Sequence, residues 1–404
     1  MSYVLLAVAL LDELASGVSS VASPEIERTF AMSHATLAAL LFVGPGVVSL
    51  VLEPIVFLLA DRHPRAWFVR GGLTVMAGTA LAAAFAPGPI ALAIVLAISW
   101  VATGAGVSLA QATLLDAAPA ERARTMARWT FASLIGDLAA PALLMLLGAT
   151  GVSLGGAHWR ATYVVVAALL AAWAVVTWVT PIPRGVGTVD EDVAAQTAAA
   201  QPAPEPRGLI AGLREALRDR VLLAWLFGLQ LCDLLDEILI VFAALHVREV
   251  LHGSPAAQAA VVGASMLGGA AGLVALDRLL ARGRAEADLL VASGLACATA
   301  FAAWLFAPTV WLSAALMFAV GATASPLYPL VAAQAYARRP AASGSVLAAG
   351  HLFGPLGLAL PYLIGVVADH AGTRVALALL IVEPLGLVAL TVALRRRAPP
   401  RSSG

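Results

Sequence analysis

Charge is scarce in this chain of 404 residues, of which only 12% are charged and 61% are hydrophobic. A soluble globular domain carries about 25% charged residues. The shortage therefore argues against an ordinary water-soluble domain and indicates that lipid surrounds much of the chain.

Lysine is absent, so all 24 basic residues are arginine, and cysteine occurs only twice. Cys232 and Cys297 lie within apolar runs, which predicts small buried side chains and argues against a disulfide framework. The sequence has no His or Cys cluster, no H-E-x-x-H and no phosphate-binding glycine loop. Asp12, Cys232 and His351 are of residue types that bind transition metals, but the lack of a His or Cys cluster disfavours a metal site formed by them. We therefore expect no cofactor, no metal and no nucleic-acid partner.

Most of the chain consists of hydrophobic runs that are long enough to cross a bilayer, which takes about 20 residues. In hydrocarbon every backbone N–H and C=O must be satisfied internally, so these runs are predicted to be helices. The first run is not expected to be a cleaved signal peptide, because it lacks a basic start and contains two acids. The twelve predicted helices are 2–22, 35–60, 67–87, 89–114, 128–151, 161–181, 221–246, 256–276, 287–307, 309–333, 344–368 and 374–394.

The arginines are distributed unevenly between the two sides of the predicted bundle. Twenty of the 24 follow even-numbered helices, and the other side holds Arg28, Arg160, Arg248 and Arg374. Short cytoplasmic loops are enriched in positive charge. This bias predicts a multi-pass protein of the inner (plasma) membrane with both termini in the cytoplasm.

A long polar break, 182–220, divides the helices six and six. It is predicted to be a cytoplasmic linker that ends in a short amphipathic helix, "GLIAGLREALRDR". The sequence thus predicts an N-terminal bundle over 1–181, a C-terminal bundle over 221–394 and a cytoplasmic tail over 395–404.

The two halves repeat four short features in the same order. "LLDE" occurs at 10–13 and 234–237, "LLADR" (58–62) matches "VALDR" (274–278), "GAGVS" (104–108) matches "GATAS" (321–325), and Pro141 matches Pro361. The offsets of 224, 216, 217 and 220 residues are nearly constant, which indicates duplication of a six-helix unit. Paired six-helix bundles are typical of secondary transporters.

Several segments resemble the major facilitator superfamily. "LLADRHPRAW" (58–67) resembles its loop G-x-L-a-D-R-x-G-R-R, with Asp61, Arg62 and Arg65 at the charged positions, although Phe57 and Pro64 replace its glycines. The segments "LLDAAPAERARTMARW" (114–129), "GAHWRATYVV" (156–165) and "SGSVLAAGHLFGPLGLALPYLIGVVADHAG" (343–372) are similar to other parts of that fold. The resemblance implies an all-α membrane fold of twelve helices in two pseudo-symmetric bundles.

A narrower similarity links "ADRHPRAWFVRGG" and the acidic first helix to drug exporters of the fosmidomycin-resistance type. The glycine-rich antiporter signature of helix 5 is not matched, since the chain reads "LIGDLAAPALL" (134–144) there.

Acidic residues inside the predicted membrane segments are the candidate functional site. A carboxylate at the bilayer centre costs about 2.5–3.5 kcal/mol on insertion scales, so such residues are hypothesised to be functional. In the superfamily, helices 1 and 7 line the central cavity, so the resemblance places both LLDE copies there. The predicted proton-coupling and substrate residues are Asp12, Glu13, Asp137, Asp233, Asp236 and Glu237, the last three expected on one face of helix 7.

Each acid also has a structural interpretation, such as bonding to a nearby Ser, Thr or broken helix. Glu53 and Glu383 each precede a proline and are more readily explained by local backbone satisfaction. His351 is more readily explained as a core residue. At the cytoplasmic helix ends, Asp61, Arg62, Arg65, Asp277 and Arg278 are predicted to form gating ion pairs, with ordinary interfacial charge as the alternative.

The sequence therefore predicts a secondary transporter that works by alternating access and exports small amphipathic or cationic compounds in exchange for protons. Proton-coupled uptake of a small neutral or cationic solute is the alternative. A membrane-embedded enzyme and a non-transporting receptor are disfavoured for lack of catalytic motifs and of a signalling domain. The expected partners are a small-molecule substrate, protons and the bilayer, with the protein acting as a monomer.

Overall fold

A computed structural model describes residues 2–33, 36–37, 39–182, 209–339 and 342–397, and these residues are almost entirely helical. Twelve long helical segments follow one another, and each lies within a few residues of a predicted one. They are α1 (Ser2–Val21), α2 (Ala39–Ala60), α3 (Arg65–Ala84), α4 (Pro89–Ala117), α5 (Arg122–Thr150), α6 (His158–Val179), α7 (220–249), α8 (Pro255–Ala281), α9 (Glu286–Leu305), α10 (Val310–Ala337), α11 (Ser343–Ala371) and α12 (Thr373–Arg396).

Eleven of these segments are long and apolar enough to cross a membrane by composition alone, and α7 is the exception. It is long enough, but its central turns carry Asp233, Asp236 and Glu237. Charge within an otherwise apolar helix of spanning length is energetically costly.

Among the described residues, three helices contain a π turn, in which each backbone hydrogen bond reaches one residue further along the chain than in an α-helix. These turns are Ala39–Val43 in α2, Gly104–Ser108 in α4 and Leu234–Ile238 in α7. The turn in α4 coincides with "GAGVS", and α10 is also irregular at the matching "GATAS", where its helix is interrupted at Ser325 and Pro326. The repeated motif therefore marks an irregular backbone in both halves.

The chain forms two compact units. The first consists of Met1–Ala120, Ala132–Arg218 and Arg339–His351, and the second of Glu121–Phe131, Asp219–Arg338 and Leu352–Gly404. The first turns of α5 thus belong to the second unit, and the first turns of α11 belong to the first. The predicted division at the linker stays a prediction. Residues 183–208 of that linker and 398–404 of the predicted tail lie outside the described residues, whereas a helix spans Leu209–Arg218.

Glycines bring α8 and α10 together within the second unit. A Cβ atom on Gly268 or Gly272 would collide with the backbone carbonyls of Phe318 and Ala322. Close backbone approach at small residues is how helices associate in lipid. Gly268 and Gly272 therefore permit close contact between the two helices, while Gly263 faces open space. Both cysteines are free and buried, as predicted.

Candidate functional site

Asp12 lies midway along α1, where the first LLDE copy forms a regular α-helix, and is half-buried. Its Oδ1 atom accepts a hydrogen bond of 3.3 Å from the Thr103 hydroxyl of α4. Thr103 immediately precedes the π turn of that helix. The two helices are therefore linked by a polar contact inside the first unit.

Helix α5 packs closely on α1 at the same level. A Cβ atom on Gly136 would collide with the carbonyl oxygen of Leu10 and would lie 2.8 Å from the Cβ of Glu13. Asp137 follows this glycine and is half-buried, and its charge interacts with that of Asp12. Glu13 is half-buried as well, and its carboxylate accepts a hydrogen bond of 3.4 Å from Ser16. The predicted acids of the first unit thus lie together.

Glu53 of α2 extends this group, although the sequence favoured a local backbone role for it over a functional one. Its Oε1 atom accepts a 2.5 Å hydrogen bond from Ser49, and its Oε2 atom lies 3.2 Å from Nε2 of His351. The side chain packs on Gly104, where a Cβ atom would lie 2.7 Å from its Cδ, and its charge interacts with that of Asp12. The hydroxyl one turn before Glu53, Ser49, was a sequence signal for a positioned carboxylate.

His351 was interpreted from sequence as a core residue, yet it is an accessible partner of Glu53. Its side chain is 22% exposed, and its ring lies 5.5 Å from that of Phe57, centroid to centroid. It occupies the last position of the first unit, where α11 changes from an α-helix to a 3₁₀ turn, His351–Phe353. No short-range pattern links this residue to Glu53.

The second LLDE copy has a different backbone, because Leu234–Ile238 form a π turn. A shared face for the three acids requires regular α-helical spacing, which the π turn alters. Asp236 is exposed, and Asp233 is half-buried and accepts a hydrogen bond from the Gln230 side chain. The side chain of Glu237 lies outside what the structure describes.

Glu383 of α12 stabilises this π turn. The carboxylate is buried and accepts a hydrogen bond of 2.7 Å from the backbone N–H of Leu235. A π turn leaves backbone groups without their usual partner, and an acceptor from another helix satisfies one of them. Glu383 therefore serves the backbone of α7 rather than that of its own helix.

Asp61, predicted to belong to an ion pair, accepts hydrogen bonds from the start of α11. Its two carboxylate oxygens accept from the backbone N–H groups of Gly344 and Ser345 at 2.9 and 2.8 Å. A carboxylate at a helix N-terminus is favourable because the first N–H groups lack helical partners. Arg65 lies 3.5 Å from Asp61 but pairs more closely with the buried Asp116, at 2.5 Å.

Asp277 is paired with arginine, as predicted, but the partners are not its neighbour Arg278. Its Oδ1 atom accepts 2.9 Å hydrogen bonds from Arg124 and Arg128, which lie in the first turns of α5. Arg278 is exposed, and so is Arg62. Each half of the sequence thus has an acid after its second helix. Asp61 accepts hydrogen bonds from backbone N–H groups at the start of α11, whereas Asp277 accepts them from arginine side chains at the start of α5.

In the part of the chain that the structure describes, eleven apolar segments of spanning length and a twelfth, acidic helix define a membrane protein of many helices. The family model "Major Facilitator Superfamily" matches residues 5–232, more than half of the chain. The chain therefore belongs to the major facilitator superfamily.

Solved structures of the superfamily have the same fold. The crystal structure of FucP, "a Major Facilitator Superfamily (MFS) transporter", in the outward conformation superposes with a TM-score of 0.76 at 14% identity, covering 98% of each chain. The human organic anion transporter MFSD10 gives 0.69 at 17% identity over 96% of this chain and 98% of that one. The proton:xylose symporter XylE gives 0.70 at 12% identity over 98% and 95%. No curated protein matches the chain by sequence.

Membership makes this protein a secondary transporter that works by alternating access, and not an enzyme. The twelve-helix fold predicted from sequence is confirmed. The narrower similarity to fosmidomycin-resistance exporters stays a prediction.

Proposed function

We propose that the protein couples the transport of a small amphipathic or cationic compound to protons, with export as the direction. The observation that carries the proposal is a polar group inside the first unit. Glu53 contacts His351 and packs on Gly104, and the neighbouring Thr103 donates a hydrogen bond to Asp12. The inner-membrane location with cytoplasmic termini, which rests on the arginine bias, is part of the proposal.

The charge of the spanning segments favours such a substrate. In the described spans no arginine lies deeper than Arg70 and Arg128, the sixth and seventh residues of their helices. A phosphate or dicarboxylate substrate needs a fixed positive charge, typically arginine. A cation is attracted to carboxylates, and a neutral solute is compatible with them once they are protonated.

The polar contacts of the group support a proton-carrying role. Thr103 and Ser49 donate hydrogen bonds to Asp12 and Glu53, which stabilises each carboxylate when it is charged. Protonation removes the charge and the cost of holding it in the membrane. A carrier of one proton per cycle must be stabilised in its charged form and must also be able to take up a proton, and these contacts meet the first requirement.

In the second unit, Asp236 of the other LLDE copy is exposed. We assign it to the substrate or to a second proton, together with Asp233 and Glu237. Asp61, Arg65 and Asp277 are proposed to stabilise one state of the transport cycle through their contacts at the starts of α11 and α5.

Proton-coupled uptake is the second candidate. Among the solved structures of the same fold, FucP is described as a fucose:proton symporter and XylE as a proton:xylose symporter. Their likeness concerns the fold alone, but both names combine this fold with a proton gradient. The direction of transport is therefore a separate outcome of the test.

The test uses purified protein in liposomes that enclose a pH-sensitive dye. A proton gradient is imposed, and a panel of lipophilic cations, neutral drugs and sugars is added to wild type, Asp12→Asn, Asp236→Asn and Glu53→Gln. The matched control is Asp288→Asn, which changes an acid whose side chain is 71% exposed.

We expect substrate-dependent proton flux that falls at least tenfold in Asp12→Asn and Glu53→Gln but not in Asp288→Asn. Proton and substrate moving in opposite directions indicate export, and movement together indicates uptake. Undiminished proton flux in both Asp12→Asn and Glu53→Gln would show that these acids are structural and would contradict the proposal.

A further inference from the structure

A cavity of about 40 Å³ lies inside the first unit, bordered by α1, α3, α4 and α6. A cavity needs about 10–15 Å³ to hold one water molecule, so the space suffices for about three. Asp12 lies at one end of the lining, and Ser19 lies near the end of α1 at Val21. The cavity therefore extends from the candidate proton carrier toward one surface of the unit.

The lining follows one face of each helix. On α1 it contains Asp12, Ser16 and Ser19, which are spaced i, i+4 and i+7 and so lie above one another. At 1.5 Å per residue, Ser19 lies about 10 Å from Asp12 along the axis. On α4 the same spacing places Ser99 and Thr103 in the lining.

Hydroxyl groups make the cavity suitable for water. Thr103 donates to Asp12, and Thr79 of α3 donates to the carbonyl of Met76 at 3.0 Å. Each hydroxyl oxygen also has two acceptor positions, so the Thr103 and Thr79 hydroxyls can each accept a hydrogen bond from water. With Ser16 and Ser99, the lining offers the two to four polar partners that a buried water requires.

The far end of the cavity is bordered by Ser19 and Tyr163, which are both buried. The hydroxyls of Ser19 and Tyr163 are hydrogen-bonded at 2.7 Å, and Tyr163 lies in the second turn of α6. The Glu25 carboxylate accepts hydrogen bonds from the N–H groups that begin α6, those of His158 at 2.8 Å and Trp159 at 3.1 Å. Glu25 and His158 also line an open pocket there. A carboxylate and an imidazole therefore lie at the start of α6, where Trp159 packs on Tyr163 of the cavity lining.

The charged and polar groups around Asp12 come from several helices. Glu53 of α2 and Asp137 of α5 interact with its charge, and Thr103 of α4 donates to it. Tyr163 of α6 and Thr79 of α3 lie in the same cavity lining. The cavity thus approaches Asp12 from a side that Glu53 and Asp137 do not line.

We propose that this cavity is a hydrated branch through which protons travel between Asp12 and the surface where α1 ends. A hydronium ion at the outer end gives up one proton. Each water or hydroxyl oxygen in the chain accepts one proton and passes one on, and the Asp12 carboxylate becomes a carboxylic acid. The inference rests on the proposed function, since it assumes that Asp12 carries the coupled proton.

The first experiment measures water access and needs no substrate. Ser99→Cys is treated with Ag⁺, which follows water-filled paths, from either side of membrane vesicles. Wild type is the blank, because Cys232 and Cys297 are buried. We expect Ser99→Cys to react at least tenfold faster from the side where α1 ends than from the other side. The addition of Ala83→Leu, which places a large side chain in the cavity, should abolish the reaction, and Ala82→Leu, at an exposed position of the same helix, should not.

The second experiment measures proton delivery with the substrate found in the liposome panel. Ala83→Leu and Thr79→Val, which removes a hydroxyl at nearly constant volume, should lower substrate-driven proton flux at least tenfold. Exchange of labelled substrate at equal pH, which moves no net proton, should be unchanged.

The outcomes separate the branch from the proposed function. An unreactive Ser99→Cys, or proton flux that survives both variants, would overturn the branch while leaving proton coupling intact. Absence of proton flux in wild type across the panel would overturn the proposed function and the branch together. Silver reactivity combined with selective loss of proton flux supports the branch.

Discussion

The Nε2 atom of His351 lies 3.2 Å from the Oε2 atom of Glu53, although the two residues are far apart in the chain. Ser49 binds the other oxygen of the same carboxylate at 2.5 Å. His351 is also the residue at which α11 passes from the first unit to the second. A hydroxyl and an imidazole thus contact the two oxygens of one carboxylate.

We predict that Glu53→Gln and His351→Gln each lower substrate-driven proton flux at least tenfold. Glutamine keeps a hydrogen-bonding side chain at either position but cannot carry the proton. If the two residues act as a pair, the double variant should be no slower than the slower single variant, because interacting residues are not additive. The measurement is dye-detected flux in liposomes.

The control for this pair is His370→Gln, which changes an exposed histidine in the same helix, α11. Equal losses in His370→Gln and His351→Gln, or strictly additive losses in the double variant, would contradict the pairing.

The ion pair between Arg65 and Asp116 should contribute far more to stability than the pair between Arg128 and Asp277. Both side chains of the first pair are at most 4% exposed, whereas Asp277 is 26% exposed. Removing one partner of a buried pair costs about 3–5 kcal/mol, and exposed pairs contribute about 0–1 kcal/mol. Asp116→Asn should therefore lower the free energy of unfolding by about 3 kcal/mol. Asp277→Asn should lower it by at most about 1 kcal/mol. Denaturant titration in detergent tests this contrast, and similar losses in both variants would refute it.

Gly272→Ala should separate α8 from α10, because the new Cβ atom would collide with the backbone carbonyl of Ala322. Overpacking of this kind costs about 1–3 kcal/mol. Gly263→Ala, in the same helix, meets nothing within 4 Å and should be neutral or stabilise the helix by up to about 1 kcal/mol. The melting temperatures of the two variants test this prediction. A Gly272→Ala variant that is as stable as wild type would mean that the two helices do not approach each other this closely.

Asp219 should make stability depend on acid pH. Burial favours its neutral form, but hydrogen bonds from the Leu222 N–H, the Arg338 guanidinium and the Val221 N–H outweigh this and hold the pKa of Asp219 below its usual range. A lowered pKa means that the stabilisation is present above the unfolded value, about 3.9, and is lost as the pH falls through the folded value.

Asp219→Ala should accordingly cost about 0.5–2 kcal/mol at neutral pH, the usual range for a lost N-cap. Its deficit relative to wild type should shrink once the pH falls below 3.9, since wild type then loses the same contacts. Melting temperatures of both proteins across this pH range provide the measurement. A deficit that stays constant with pH would show that the carboxylate charge is not involved.

The sequence was sufficient for the twelve helices because the requirement that defines them is local. A run of about 20 apolar residues must satisfy its own backbone in hydrocarbon, so its ends can be read from polarity alone. The same reasoning identified Asp12 and Asp236 as unusual, since a charge inside such a run is costly wherever it lies.

Only the tertiary structure decided what these residues contact. Identical letters, LLDE, form an α-helix in α1 and part of a π turn in α7, where Glu383 of another helix binds the Leu235 N–H. Asp277 binds Arg124 rather than its neighbour Arg278, and Glu53 meets His351. Apolar patterning specifies which segments enter the membrane, but the pairing of their polar groups depends on how helices distant in sequence pack, which short-range periodicity does not encode.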